Sequence, residues 1–244
     1  MERPMNGEVV GTPYPPAAWG FGHVGAGLVV GMVATVLAMG VAAAVVGAEA
    51  AEDPSLAVGA LVQGALYLGL VGVPAWLVVF RGVRWADFGW VGSGSGRHVL
   101  DACQGLAIGV VAQLAAVPAL YAPILLLTDE LDVSGPAREL VDRANGLGIA
   151  LLILMVVVLA PIAEELFFRG LALRAMEVRM SRWLALVASA LLFGLTHFQL
   201  LQLPALVMIG LVCGWLAQRD NRLGRAVWTH VGFNATTTFI LLLG

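Results

Sequence analysis

The chain has 244 residues, 60% of them hydrophobic and only 12% charged, with a mean hydropathy of +0.91. Soluble globular domains carry about 25% charged residues, so composition excludes an ordinary soluble domain and predicts an all-α, polytopic transmembrane helical bundle. Net charge is −3 and all 13 basic residues are Arg, too little positive charge for a nucleic-acid surface.

In chain order, residues 1–20 hold two Glu, several Pro and no apolar core. They read as a flexible cytosolic tail and not as a signal peptide. Residues 21–244 read as a single transmembrane helical domain. Apolar runs near the ~20 residues that span a bilayer fall at 21–46, 56–80, 99–127 and 147–168, then at 183–200, 203–217 and 226–243. This predicts about seven spans, with six to eight as the range. Pro118 and Pro123 interrupt the third and predict a kink or a re-entrant piece. Cys103 and Cys213 each lie inside an apolar run and read as small buried hydrophobes. The 92–96 stretch, Gly-Ser-Gly-Ser-Gly, reads as a flexible joint, and 129–145 as a short surface helix or flap near the outer face.

Loop charge alternates without a break. Residues 48–55 carry three acids and no base; 81–97 carry three Arg against Asp87; 128–146 carry five acids and two Arg. Residues 169–182 then hold four Arg against Glu177, and 218–225 hold three Arg against Asp220. Arg-rich loops stay cytosolic, which places the N-terminus inside and, with seven spans, the C-terminus outside. The chain is expected in a membrane that is bacterial and cytoplasmic, a reading the absence of Lys also favours.

The stretch Pro161-Ile-Ala-Glu164-Glu165-Leu-Phe-Phe-Arg169-Gly170 ends the fourth run. A charge near mid-membrane costs roughly 2.5–3.5 kcal/mol on insertion scales and marks a functional site by default. Glu165 and Arg169, four apart, share a helix face and can pair. Glu164 lies about 100° round the helix, without a partner in its own turn. Glu164 therefore reads as the chemical group and Glu165 as the anchor. The bland alternative is a charged pair at a membrane boundary.

Two further spans carry polar groups at the same spacing. Phe193-Gly-Leu-Thr-His197 and His230-Val-Gly-Phe-Asn234 each put their outer residues on one face. Taken singly, each His reads first as a satisfied interhelical hydrogen bond. Spans four and five form a hairpin about residues 179–182 that sets Glu164 and His197 level. His230 lies only five residues after Arg225, so for all three to meet, the 169–182 hairpin must project into the cytosol. That geometry predicts a pocket open to the cytosolic side. No Gly-x-Ser-x-Gly elbow or His-Glu-x-x-His zinc motif is present. One unpaired carboxylate, two imidazoles and an amide suit water-mediated acyl hydrolysis.

Glu-Glu-x-x-x-Arg, Phe-x-x-x-His and His-x-x-x-Asn, in that order on late spans, resemble the CPBP family (CAAX protease and bacteriocin-processing, or Abi) of intramembrane proteases. The resemblance covers about 147–244 and includes Gly210-Leu-Val-Cys-Gly214. It implies that Glu164 is the general base and that His197 holds the same water. It implies further that His230 and Asn234 form the oxyanion side, with Glu165, Arg169 and Phe193 in support. Members are often described as metalloproteases, yet the implied site is glutamate-dependent with no firmly held metal. Zinc on Glu164, His197 and His230 is the minority option.

The function expected is an intramembrane endopeptidase acting on a peptide or membrane-anchored protein substrate within the lipid bilayer. One rival is a non-catalytic scaffold or bacteriocin-immunity protein that binds peptides in the same pocket. A proton-coupled transporter is disfavoured, because the polar groups cluster in one half and no repeat symmetry is visible. Loss of cleavage on Glu164→Gln separates the protease from the scaffold; substrate-driven proton flux in liposomes identifies the transporter.

Overall fold

The computed structural model describes residues 18–47, 54–92, 95–126 and 132–244. The expected tail at 1–17, most of the acidic 48–55 loop and residues 93–94 of the glycine-serine joint lie outside the described residues. Eight helices make up the chain: α1 (Phe21–Val46), α2 (Leu56–Arg81), α3 (Gly96–Pro123), α4 (Gly135–Asp142), α5 (Leu147–Glu177), α6 (Arg182–Leu195), α7 (Leu203–Asp220) and α8 (Gly224–Leu243). No strand occurs among the described residues. In a bilayer only a helix or a closed barrel satisfies every backbone group, and these apolar runs take the helical solution.

Five helices, α1, α2, α3, α5 and α8, are long and apolar enough to cross a membrane. Helix α7 has 18 residues. Helix α6 has only 14, about 21 Å of rise against a ~30 Å hydrocarbon core. The outer face of α1 is apolar and exposed, with Val29, Val33, Val36 and Leu37 each at least half exposed, as a lipid-facing wall requires.

Helix α5 is the axis of the bundle. Its 31 residues rise about 46 Å, well beyond a bilayer core, in keeping with the projecting hairpin that the sequence demands. From Ala163 to Glu177 every residue is buried. It carries wide π turns at Ile153–Leu159 and Glu165–Leu173. Such turns leave carbonyls without their usual i+4 donors, and neighbouring side chains supply them. Ser189 Oγ donates to Phe168 O at 3.0 Å and Asn234 Nδ2 to Val156 O at 2.9 Å. Ser189, expected only to pack, thus satisfies the backbone of the central helix.

Close backbone approach fixes the flanking pairs. A Cβ on Gly109 of α3 would meet backbone atoms of Thr229, Gly232 and Phe233 of α8; one on Gly69 of α2 would meet those of Gly27 and Gly31 of α1. Small residues at these crossings let membrane helices pack without a side-chain layer between them. Helix α3 is continuous through Pro118, with a π turn at Ala112–Ala116 immediately before it. The missing N–H is absorbed by that turn, so no re-entrant piece forms. Cys213 is buried as expected, whereas Cys103 is exposed on α3.

The bundle has two chemically distinct ends. At one end Arg174 donates to Asp87 O and to Asn221, Gln218 bridges Glu177 and Arg182 O, and Arg222 pairs with the buried Asp101, Nη2 to Oδ1 at 2.6 Å. Nearby, a hydrogen bond from the Arg84 guanidinium holds the Asp87 carboxyl below its ordinary range. At the other end Tyr121 donates to Leu201 O, Gln202 to Val133 O and Arg143 to Pro54 O. Nine of the 13 Arg lie at the first end and two, Arg138 and Arg143, at the second.

Candidate active site

The α5 register delivers the two glutamates to different environments. Glu165 is fully buried, and its Oε1 stands 3.0 Å from Arg169 Nη1. The i,i+4 pairing read from the sequence is therefore present. The same oxygen lies 2.9 Å from His230 Nδ1. Arg169 also donates to Gly210 O at 3.2 Å and stacks 4.5 Å from the Phe193 ring centroid. A single carboxylate thus anchors a guanidinium from its own helix and an imidazole from α8.

Glu164 turns the other way, into a cavity of about 810 Å³. Glu164, His197, His230 and Asn234 all line it, while Glu165, Arg169 and Phe193 lie behind its wall. This divides the seven sequence-selected residues into the same two groups, chemical and supporting. Glu164 Oε2 is 3.7 Å from His230 Nε2, too long for a direct hydrogen bond but close enough for one water to touch both.

The imidazole tautomers follow from their partners. A carbonyl only accepts, so His197 Nδ1, 2.8 Å from Phe193 O, carries the proton and leaves Nε2 free to accept. A carboxylate likewise accepts, so His230 Nδ1 donates to Glu165 and Nε2 faces Glu164. Phe193, with no exposed surface, sets both rings: its centroid is 4.7 Å from that of His197 and 5.6 Å from that of His230, both edge to face. Asn234 uses one amide hydrogen on Val156 O and keeps the second.

The structure also brings in groups from α2 and α3 that the sequence reading passed over. Gln63 and Gln113 line the cavity, and Gln113 lies in the π turn of α3. A lone amide inside an otherwise apolar span was the signal available. A second difference concerns the mouth. The cavity is lined by Leu56 at the start of α2, Tyr121 near the end of α3, Ala137 of α4, Leu151 near the start of α5, Gln202 and Thr238. These positions run from the Glu164 level to the Arg-poor end, not to the Arg-rich end on which a cytosolic pocket was expected. The layer on the Arg-rich side of Glu164 is packed solid by Phe167, Arg169, Leu171, Phe193 and Cys213, each at most 1% exposed.

As a zinc site the residues do not fit. Among the described residues no three His, Cys, Asp or Glu side chains group as a ligand set for one ion. Glu165 orients His230 as an outer-sphere carboxylate would orient a metal-bound imidazole, but no third donor converges with Glu164 and His230.

Residues 146–236 match the family model described as type II CAAX prenyl endopeptidase Rce1-like. No curated protein and no solved structure matches the chain. The matched segment contains the two glutamates, Arg169, Phe193, both imidazoles and Asn234, the side chains that the fold gathers at one end of one cavity. The chain therefore carries an Rce1-like type II CAAX prenyl endopeptidase domain, consistent with a CPBP family protease.

Proposed function

We propose that the protein is an intramembrane endopeptidase that hydrolyses a peptide bond with a Glu164-activated water. The observation that carries this reading is the split between the glutamates. Glu165 is committed to Arg169 and His230 behind the wall, and Glu164 stands in the cavity with no counter-ion within hydrogen-bond distance.

A water between Glu164 and His230 is the nucleophile. Its oxygen attacks the carbonyl carbon of the scissile peptide while a proton passes to Glu164 Oε2. Charge growing on the carbonyl oxygen is met by the second amide hydrogen of Asn234 and by an imidazole N–H at the site. The tetrahedral adduct collapses, the C–N bond breaks, and Glu164 returns its proton to the departing amine. One product ends in a carboxylate and the other in an amine, and the site is regenerated. His197 Nε2 accepts a hydrogen bond from the water or its hydroxide, the role the family resemblance assigned. His230, expected on the oxyanion side alone, touches both glutamates and so couples the base to its anchor.

Cleavage of a fluorogenic apolar peptide library by purified protein in lipid nanodiscs tests this reading. Wild type should cleave, and Glu164→Gln should lose at least ~100-fold of that rate, the usual scale of a general base, with unchanged thermal stability. Binding of peptides with no cleavage by wild type would instead establish the scaffold reading.

A further inference from the structure

We propose that the catalytic cavity opens on the extracytoplasmic face of the membrane, so that the substrate is the extracytoplasmic juxtamembrane stretch of a membrane-anchored protein. The inference rests on the endopeptidase reading for its substrate and on the two ends of the bundle for its direction.

The first step is the polarity of the ends. Arg81, Arg84 and Arg97, Arg174, Arg179 and Arg182, and Arg219, Arg222 and Arg225 come from four separate stretches of chain. The contacts among Asp87, Asp101, Arg174, Glu177, Gln218, Asn221 and Arg222 bring those stretches to one end. The opposite end exposes Asp132, Glu139 and Asp142. Arg-rich short loops are retained in the cytosol, while acids contribute little to orientation. Nine Arg against two settles the direction: the Arg-poor end is outside.

The second step is the shape of the cavity. All of its walls lie between Glu164 and the Arg-poor end, and α4 lies across that end, with Val133, Pro136, Ala137 and Leu140 facing inward. Toward the cytosol the path from Glu164 is filled by buried aromatic and aliphatic side chains and the Glu165–Arg169 pair. An extended chain of n residues reaches at most ~3.5 Å × n. From the cytosolic end, ten residues of α5 separate Glu164 from Arg174, about 15 Å of helix, through a packed layer with no void for a strand. From the other end the same strand meets an open cavity lined by Gln63, Gln113 and Gln199, amides suited to the backbone of an extended peptide. A prenylated C terminus held at the cytosolic surface lies on the wrong side of that layer.

The test is chemical accessibility, which needs no turnover. The probe is a charged, membrane-impermeant maleimide, applied to intact bacteria and to inside-out vesicles holding the full chain with Cys103→Ser. Cys213 has no exposed surface and remains as the background. Ala60→Cys and Thr237→Cys report the cavity; Arg84→Cys, with a 78% exposed side chain, reports the Arg-rich end. The expected result is labelling of the two cavity positions in intact cells, with Arg84→Cys labelled only in inside-out vesicles. Labelling of the cavity positions only in inside-out vesicles overturns the proposal. So does labelling by a lipid-soluble maleimide alone, which would mean entry between helices from the bilayer. Peptide cleavage measured on the same preparations separates the two claims. Extracytoplasmic labelling without cleavage sinks the protease reading and keeps the direction, and cleavage with cytosolic labelling does the reverse.

Discussion

Glu165 and Glu164 are adjacent in sequence, yet substitution should tell them apart. Glu165→Gln keeps the shape but leaves Arg169, 1% exposed, as an uncompensated buried charge. Breaking such a pair from one side typically costs about 3–5 kcal/mol, so the variant should melt earlier and also lose rate as His230 loses its orientation. Glu164→Gln removes a group with no counter-ion and should melt like wild type while losing cleavage. Thermal melts of both variants check this; equal melting with equal loss of activity contradicts the division. Metal belongs to the same scale. Without a third converging donor, cleavage should survive EDTA and phenanthroline. Activity lost on chelation and restored by stoichiometric zinc would make Glu164 and both imidazoles ligands.

At the scale of elements, the motif helices were legible and their partners were not. The Glu164-to-Arg169 face, the Phe193-to-His197 face and the His230-to-Asn234 face follow from i,i+4 spacing, and the structure realises all three. The site also needs α2 and α3, whose contribution is two lone amides and the glycines that let α3 meet α8. An amide in an apolar run says only that something polar is near. That Gln113 turns into the cavity depends on a π turn, and no residue pattern in 112–116 announces one. Gln63→Leu and Gln113→Leu should each raise KM roughly five-fold, equal to the ~1 kcal/mol of one hydrogen bond, and leave kcat within a factor of two. A kcat loss without a KM change would contradict a binding role. Gly109→Leu should fail to fold, since a side chain there meets α8 backbone; a wild-type melt would show that α3 and α8 can separate cheaply.

For the whole molecule, loop charge fixed which ends belong together before any contact was known. The direction of the cavity needed the packing, because helix spacing sets Glu164 and His197 level without saying on which side the helices part. The hairpin projects at the Arg-rich end as expected, but it encloses a packed layer and not a mouth. Glu164-dependent proteolysis at the membrane is the central claim, and one measurement reaches it most directly: profiling of new peptide termini in membranes of cells holding wild type or Glu164→Gln. The account predicts termini present only with wild type, mapping to extracytoplasmic juxtamembrane segments. Identical profiles, with both proteins folded and present at equal levels, would contradict it.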